Sequence, residues 1–169
     1  MTLDLRALQK PLKESYRADP DQAKIVITAR GQSTAGGPIT CNVDIGRAIY
    51  EAQAHAGVGG AGTAACSGDL LLGALAACKQ VTVQMVAAAM GLPLTNVEVT
   101  VEGDLDLRGT LGLARDAAVG FSAIRVGVAI EGDITPEQQR DLAEKSESYC
   151  VVLQTLREAP PIEITWQKS

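Results

Sequence analysis

Aromatic side chains are nearly absent from this 169-residue chain, at 3%. Phe121, Trp166, Tyr16, Tyr50 and Tyr149 are too few for a base-stacking surface. The core must instead be aliphatic and rich in Ala, which suits close helix packing. Histidine is scarcer still, with His55 the sole example. No two of Cys41, Cys66, Cys78 and Cys150 stand at zinc-site spacing, so a His/Cys metal site is not expected. A single histidine also excludes most Ser-His and Cys-His catalysis, unless His55 in its Gly-flanked segment serves as base. A solvated loop histidine is the plainer reading. Clusters of Lys and Arg are lacking, and with a net charge of -5 neither nucleic acid nor an anionic membrane is an expected partner. The opening "MTLDLRALQKPLKESYRADPDQ" mixes charges with apolar residues and has no apolar signal core. A cytoplasmic protein follows as the expectation, with its cysteines at rest as thiols.

What is present is a globular composition, 46% apolar and 21% charged, on a length that fits one domain. Residues 1–22 read as a polar, partly helical arm. "AKIVITARG" and "ITCNVDIG", joined by "QSTAGGP", form a hairpin over 23–46, with Ile25 and Ile27 on one face. The stretch after it becomes Gly-rich at Gly57, Gly59, Gly60 and Gly62. No GK[ST] or GxGxxG follows a buried strand, so it reads as a flexible linker and not a phosphate loop.

From Ser67 to Gly91 the pattern is helical over about 37 Å. Ser67 is placed to cap the exposed amides, Asp69 suits the first turn, and Gly91 with Pro93 ends the helix. Apolar residues cover nearly its whole circumference. Lys79, Gln80, Thr82 and Gln84 argue against a membrane span, because Lys at mid-bilayer costs roughly 3 kcal/mol. The helix must therefore be enclosed by protein, and a chain with few other helices needs a second subunit to do it.

"LTNVEVTVEGDLDL" alternates, Val97, Val99 and Val101 against Glu98, Thr100 and Glu102. "GFSAIRVGVAIEGD" alternates likewise, giving an antiparallel hairpin over 94–133 with one solvated face. Glu98, Glu102, Asp104 and Asp106 then read as wet sheet surface. Thr135-Pro136-Glu137-Gln138 is a capping box that opens a helical segment over 135–158. "PPIEITWQ" supplies a last strand at 161–167. Without regular βα alternation the class is α+β, in one domain.

The cysteines carry what chemistry there is. Cys66 and Cys78 lie about 18 Å apart along the helix axis and cannot bridge to each other. Cys66 stands at the helix start, where the dipole lowers a thiol's pKa. Cys78, beside Ala76 and Ala77, occupies the kind of position taken by an inert core cysteine. Cys150 begins a fresh helix if Ser146 or Ser148 breaks and caps the segment.

The motifs "LLLGALAACKQVT" and "ITPEQQRDLAEKSESYCVV", after a Gly-rich lead and around a Val-rich hairpin, resemble the OsmC/Ohr family. These are the osmotically induced and organic hydroperoxide resistance proteins, and the likeness spans about residues 24–167. It implies an intertwined α+β homodimer, with antiparallel sheets around long buried central helices, and a thiol peroxidase acting on organic hydroperoxides in oxidative-stress defence. By motif, Cys78 matches the peroxidatic cysteine and Cys150 the resolving one. Arg30 matches the arginine that holds the thiolate ionised, with Arg17 in reserve. The reductant would be an external dithiol, such as a dihydrolipoyl group on a partner protein, with no bound cofactor. Gly68 stands where the family has a Glu that orients the arginine, so Asp69 and Glu51 are the candidate acid partners. Val151 replaces the family's Pro. A related expectation is an OsmC-like dimer with weak or lost peroxidase activity that binds an apolar small molecule in the dimer cleft.

Overall fold

The computed structural model describes residues 5–33, 41–44, 54–60, 62 and 65–168. The arm is a helix, α1 (Leu5–Ala18), followed by a 3-10 turn at Pro20–Ala23. Strands β1 (Lys24–Ser33) and β2 (Cys41–Asp44) pair antiparallel, as the alternation predicts. The long helix α2 (Ser67–Ala89) comes next, then β3 (Leu94–Asp106), a single helical turn α3 (Leu107–Thr110), and β4 (Ala123–Gly132). Helices α4 (Pro136–Tyr149) and α5 (Val151–Arg157) complete the order. Among the described residues the sheet has four strands in the order β2-β1-β3-β4, all antiparallel.

Helix α2 lies on one face of the sheet. Its Leu72, Leu75, Ala76 and Val83 meet Val97, Val99 and Val101, all at most 3% exposed. Burying each Leu contributes about 1.5–3 kcal/mol. The opposite face of β3 is polar, as the alternation requires. There Arg125 on β4 forks onto Asp104 at 2.6 and 2.7 Å and donates to Glu102 at 3.3 Å, which holds the Asp104 carboxyl below its usual pKa. A smaller cluster of Tyr16, Ala23 and Leu107 seats α1 at one end.

The start of α2 differs from expectation in its cap. Cys66 is the N-cap residue, and Asp69 accepts its amide N–H at 2.7 Å; Ser67 is already inside the helix. The end follows the sequence. Met90 caps, Gly91 turns left-handed at φ 66°, and the Leu92 amide reaches back to the Ala87 carbonyl at 2.9 Å. This is a Schellman closure, which favours Gly at the turning residue. A Cβ on Gly91 would meet open space, so Gly91→Ala isolates the backbone cost. It should lower stability by about 1 kcal/mol in a denaturant titration followed by far-UV circular dichroism.

Three further expectations are corrected. The described part of the Gly-rich stretch is not a free linker. Residues Ala56–Val58 form a 3-10 turn, held by His55 Nδ1 accepting from the Gly57 amide at 3.0 Å and by the Tyr16 hydroxyl donating to the Gly57 carbonyl at 2.7 Å. His55 is therefore a capping residue, partly buried in that turn. Cys150, whose ψ of 102° is extended, does open a fresh helix; the serine cap is what fails, since neither Ser146 nor Ser148 caps it. The Thr135 capping box does form, with its two reciprocal bonds at 2.8 and 3.2 Å. Residues 161–167 form no strand. Ile162, Ile164 and Trp166 alternate as a strand would but are 75–92% exposed, because a strand exists only where another pairs with it.

Coverage of α2 is also incomplete. Leu71 and Met85 are exposed, and with Ala74, Cys78, Thr82 and Ala89 they recur at three- and four-residue spacing along one face. The chain itself leaves that apolar face partly open. Lys79 and Gln80, the residues that argued against a membrane span, are buried against the protein instead, Gln80 donating to the Val97 carbonyl at 2.8 Å.

Candidate active site

Two thiols far apart in sequence meet where α5 begins. Cys78 projects from the middle of α2, half-buried on the partly open face. Cys150 is the hinge residue between α4 and α5 and is fully buried. The Val152 amide, in the first turn of α5, donates to Cys78 Sγ at 3.5 Å. The Leu153 amide and the Cys78 thiol both act on the Cys150 sulfur. Both are reduced.

The geometry follows from the break at Cys150. A continuous helix through 136–157 would spend the amides of Val152 and Leu153 on carbonyls four residues back. Extended backbone at Cys150 releases them and turns them toward sulfur. Unpaired N–H groups stabilise a thiolate, which is what a reactive cysteine in apolar surroundings requires. Burial pushes the Cys150 thiol up, as does its neighbour Cys78; the Leu153 amide and the Lys79 ammonium act in the opposite direction. Cys66, by contrast, is buried away from this pair. Burial drives its thiol up despite its place at the helix start, so the expectation of a dipole-lowered pKa there is overturned.

The arginine and acid candidates fare differently. Arg30 sits on β1 opposite Thr100, in the register row of Glu98 and Glu102; the neighbouring row, Val99 and Val101, is the one that packs on α2. Register therefore sets Arg30 in a different row from the residues that pack on α2. Arg17 is exposed on α1 beside the smaller cluster. Asp69 is committed to the Cys66 amide, about 13 Å along the helix axis from Cys78, and is not its acid partner. Glu51 lies outside the described residues.

A residue that hydropathy sets only against a membrane span acts on this pair. Lys79, 5% exposed, donates to Ser146 Oγ at 2.9 Å and acts electrostatically on Cys150. The signal was there: a lysine in the middle of an apolar helix must find partners inside the fold.

The OsmC-like protein family model matches residues 60–165, a span that contains both cysteines. The chain belongs to the OsmC-like family. The crystal structure of an OsmC-like hydroperoxide resistance protein from Jannaschia sp. CCS1 superposes with a TM-score of 0.60. The match covers 86% of this chain and 95% of that one at 17% identity, a likeness of fold. Among curated proteins none matches the sequence. Within an OsmC-like fold, the thiol pair falls where the long helix meets the helical segment that follows the second hairpin.

Proposed function

We propose that this OsmC-like protein is a thiol-dependent reductase of organic hydroperoxides, serving oxidative-stress defence. The observation that carries the reading is the meeting of Cys78 and Cys150 at the start of α5, with the Val152 amide on the Cys78 sulfur. The Cys78 thiolate attacks the terminal peroxide oxygen, the O–O bond breaks, and the alcohol leaves with a proton. Cys78 is then a sulfenic acid. Cys150 attacks that sulfur, an S–S bond forms, and water departs. An external dithiol, such as the dihydrolipoyl group of a partner protein, restores both thiols by exchange. Arg30 is assigned to thiolate and peroxide stabilisation, and it would have to come from a second copy of the chain. A homodimer packed on the open face of α2, where Cys78 stands, would bring that second copy to the site.

Intact-mass measurement tests the central step. One equivalent of cumene hydroperoxide should leave the chain lighter by two hydrogens, with peptide mapping placing the bridge between Cys78 and Cys150. A bridge to Cys66 or Cys41 would overturn the assignment.

A second reading keeps the fold but replaces turnover with binding. It is favoured by a groove of about 660 Å³ between β4, α4 and α5, lined by Val83, Ile124 and Val126 and also by Lys79, Glu147 and Arg157. Slow turnover despite an intact Cys78–Cys150 bridge would select it.

A further inference from the structure

Lys79 is buried without an ion-pair partner among the described residues. Among the described residues its polar partner is the neutral hydroxyl of Ser146, and no carboxylate lies within ion-pair distance of its Nζ. The nearby acid, Glu147, is engaged with Arg157 at 2.9 Å. An ammonium taken from water with no counter-ion is expensive, and a position that keeps it needs an anion at some stage. The contact also joins two strategic points: Lys79 follows Cys78 on α2, and Ser146 lies one helical turn before Cys150 on α4.

We propose that Lys79, held by Ser146, is the positioning residue for resolution: its ammonium is the counter-ion of the Cys150 thiolate that closes the disulfide. This deepens the peroxidase reading and rests on it. During closure the proton leaving Cys150 and the hydroxide leaving the Cys78 sulfenic acid make the departing water, so atoms and charge balance. The groups acting on the resolving thiol are then Cys78 and Lys79 from α2 and the Leu153 amide of α5, while Glu147 of α4 and Arg157 of α5 act on Lys79. Burial lowers the Lys79 pKa, while Glu147 and Cys150 favour its charged form, as a counter-ion awaiting its partner would show.

Titration of Cys150 by the ¹³Cβ shift of labelled cysteine, in the full chain carrying Cys78→Ser, tests this without requiring a reagent to reach a buried thiol. Lys79→Met should move the Cys150 titration up by about one pH unit, and Lys79→Arg should restore most of that shift. Reciprocity supplies a second measurement should Lys79→Met fail to fold: Cys150→Ser should lower the titration of Lys79 itself, read from its ¹³Cε shift. In the chain with both cysteines, the pH profile of disulfide closure should shift upward with Lys79→Met, while trapping of the Cys78 sulfenic acid by dimedone keeps its rate. An unchanged Cys150 titration in folded Lys79→Met, or an unchanged Lys79 titration in Cys150→Ser, overturns the proposal. If no sulfenic acid forms with any hydroperoxide, the peroxidase reading fails, and the titrations still decide whether Lys79 and Cys150 are coupled.

Discussion

Cys78→Ser should reduce the rate of cumene hydroperoxide consumption by at least about a thousandfold, measured with excess dithiol as reductant. Serine preserves size and hydrogen bonding, so the Val152 amide keeps an acceptor. What is lost is ionisation, since a hydroxyl does not become an anion at neutral pH, and the soft sulfur that displaces an alkoxide from a peroxide oxygen. Cys150→Ser should behave differently. The first turnover proceeds, the Cys78 sulfenic acid accumulates, and dimedone captures it. Full peroxide consumption by Cys78→Ser would remove Cys78 from the mechanism, and with it the role given to Cys150.

The largest effect on stability is expected from Leu72→Ala. Leu72 is fully buried in the first half of α2, where its methyl groups reach over Gly103 of β3, close to Phe121. Gly103 offers no side chain that can move into the space, and the sheet beneath is fixed by ladders to β1 and β4. The cavity should therefore persist, at a cost of about 3 kcal/mol, near the middle of the range for buried Leu truncations. That is a large fraction of the stability of an ordinary domain. Urea titration followed by circular dichroism at 222 nm checks it, and a loss under about 1 kcal/mol would mean that α2 and the sheet can close over the gap.

Much of this architecture is legible in local patterns. The valines of 97–101 alternate because one sheet face is dry, and the Thr135 box and the Gly91 stop are short-range bonds that the sequence spells directly. The candidate site is harder, since its parts come from distant segments. Ser146 and Ser148 offer a break near Cys150, but neither serine makes it. The break depends on α5 turning against α2, a tertiary event. Lys79 shows the limit most plainly: hydropathy says that it cannot sit in lipid, but only the packing of α4 says that it meets Ser146. The last strand failed for a related reason. Alternation at Ile162, Ile164 and Trp166 is a strand's pattern, yet a pattern cannot supply the neighbour that a ladder needs.

That exposed tail has a spectroscopic consequence. The chain holds one tryptophan, and it sits there, 92% exposed, remote from every core contact. Indole emission in the single chain is already that of a hydrated ring, so melting α2 off the sheet would leave the fluorescence almost unchanged. A tryptophan-monitored melt would be blind to folding, and a blue shift at rising protein concentration would report association instead.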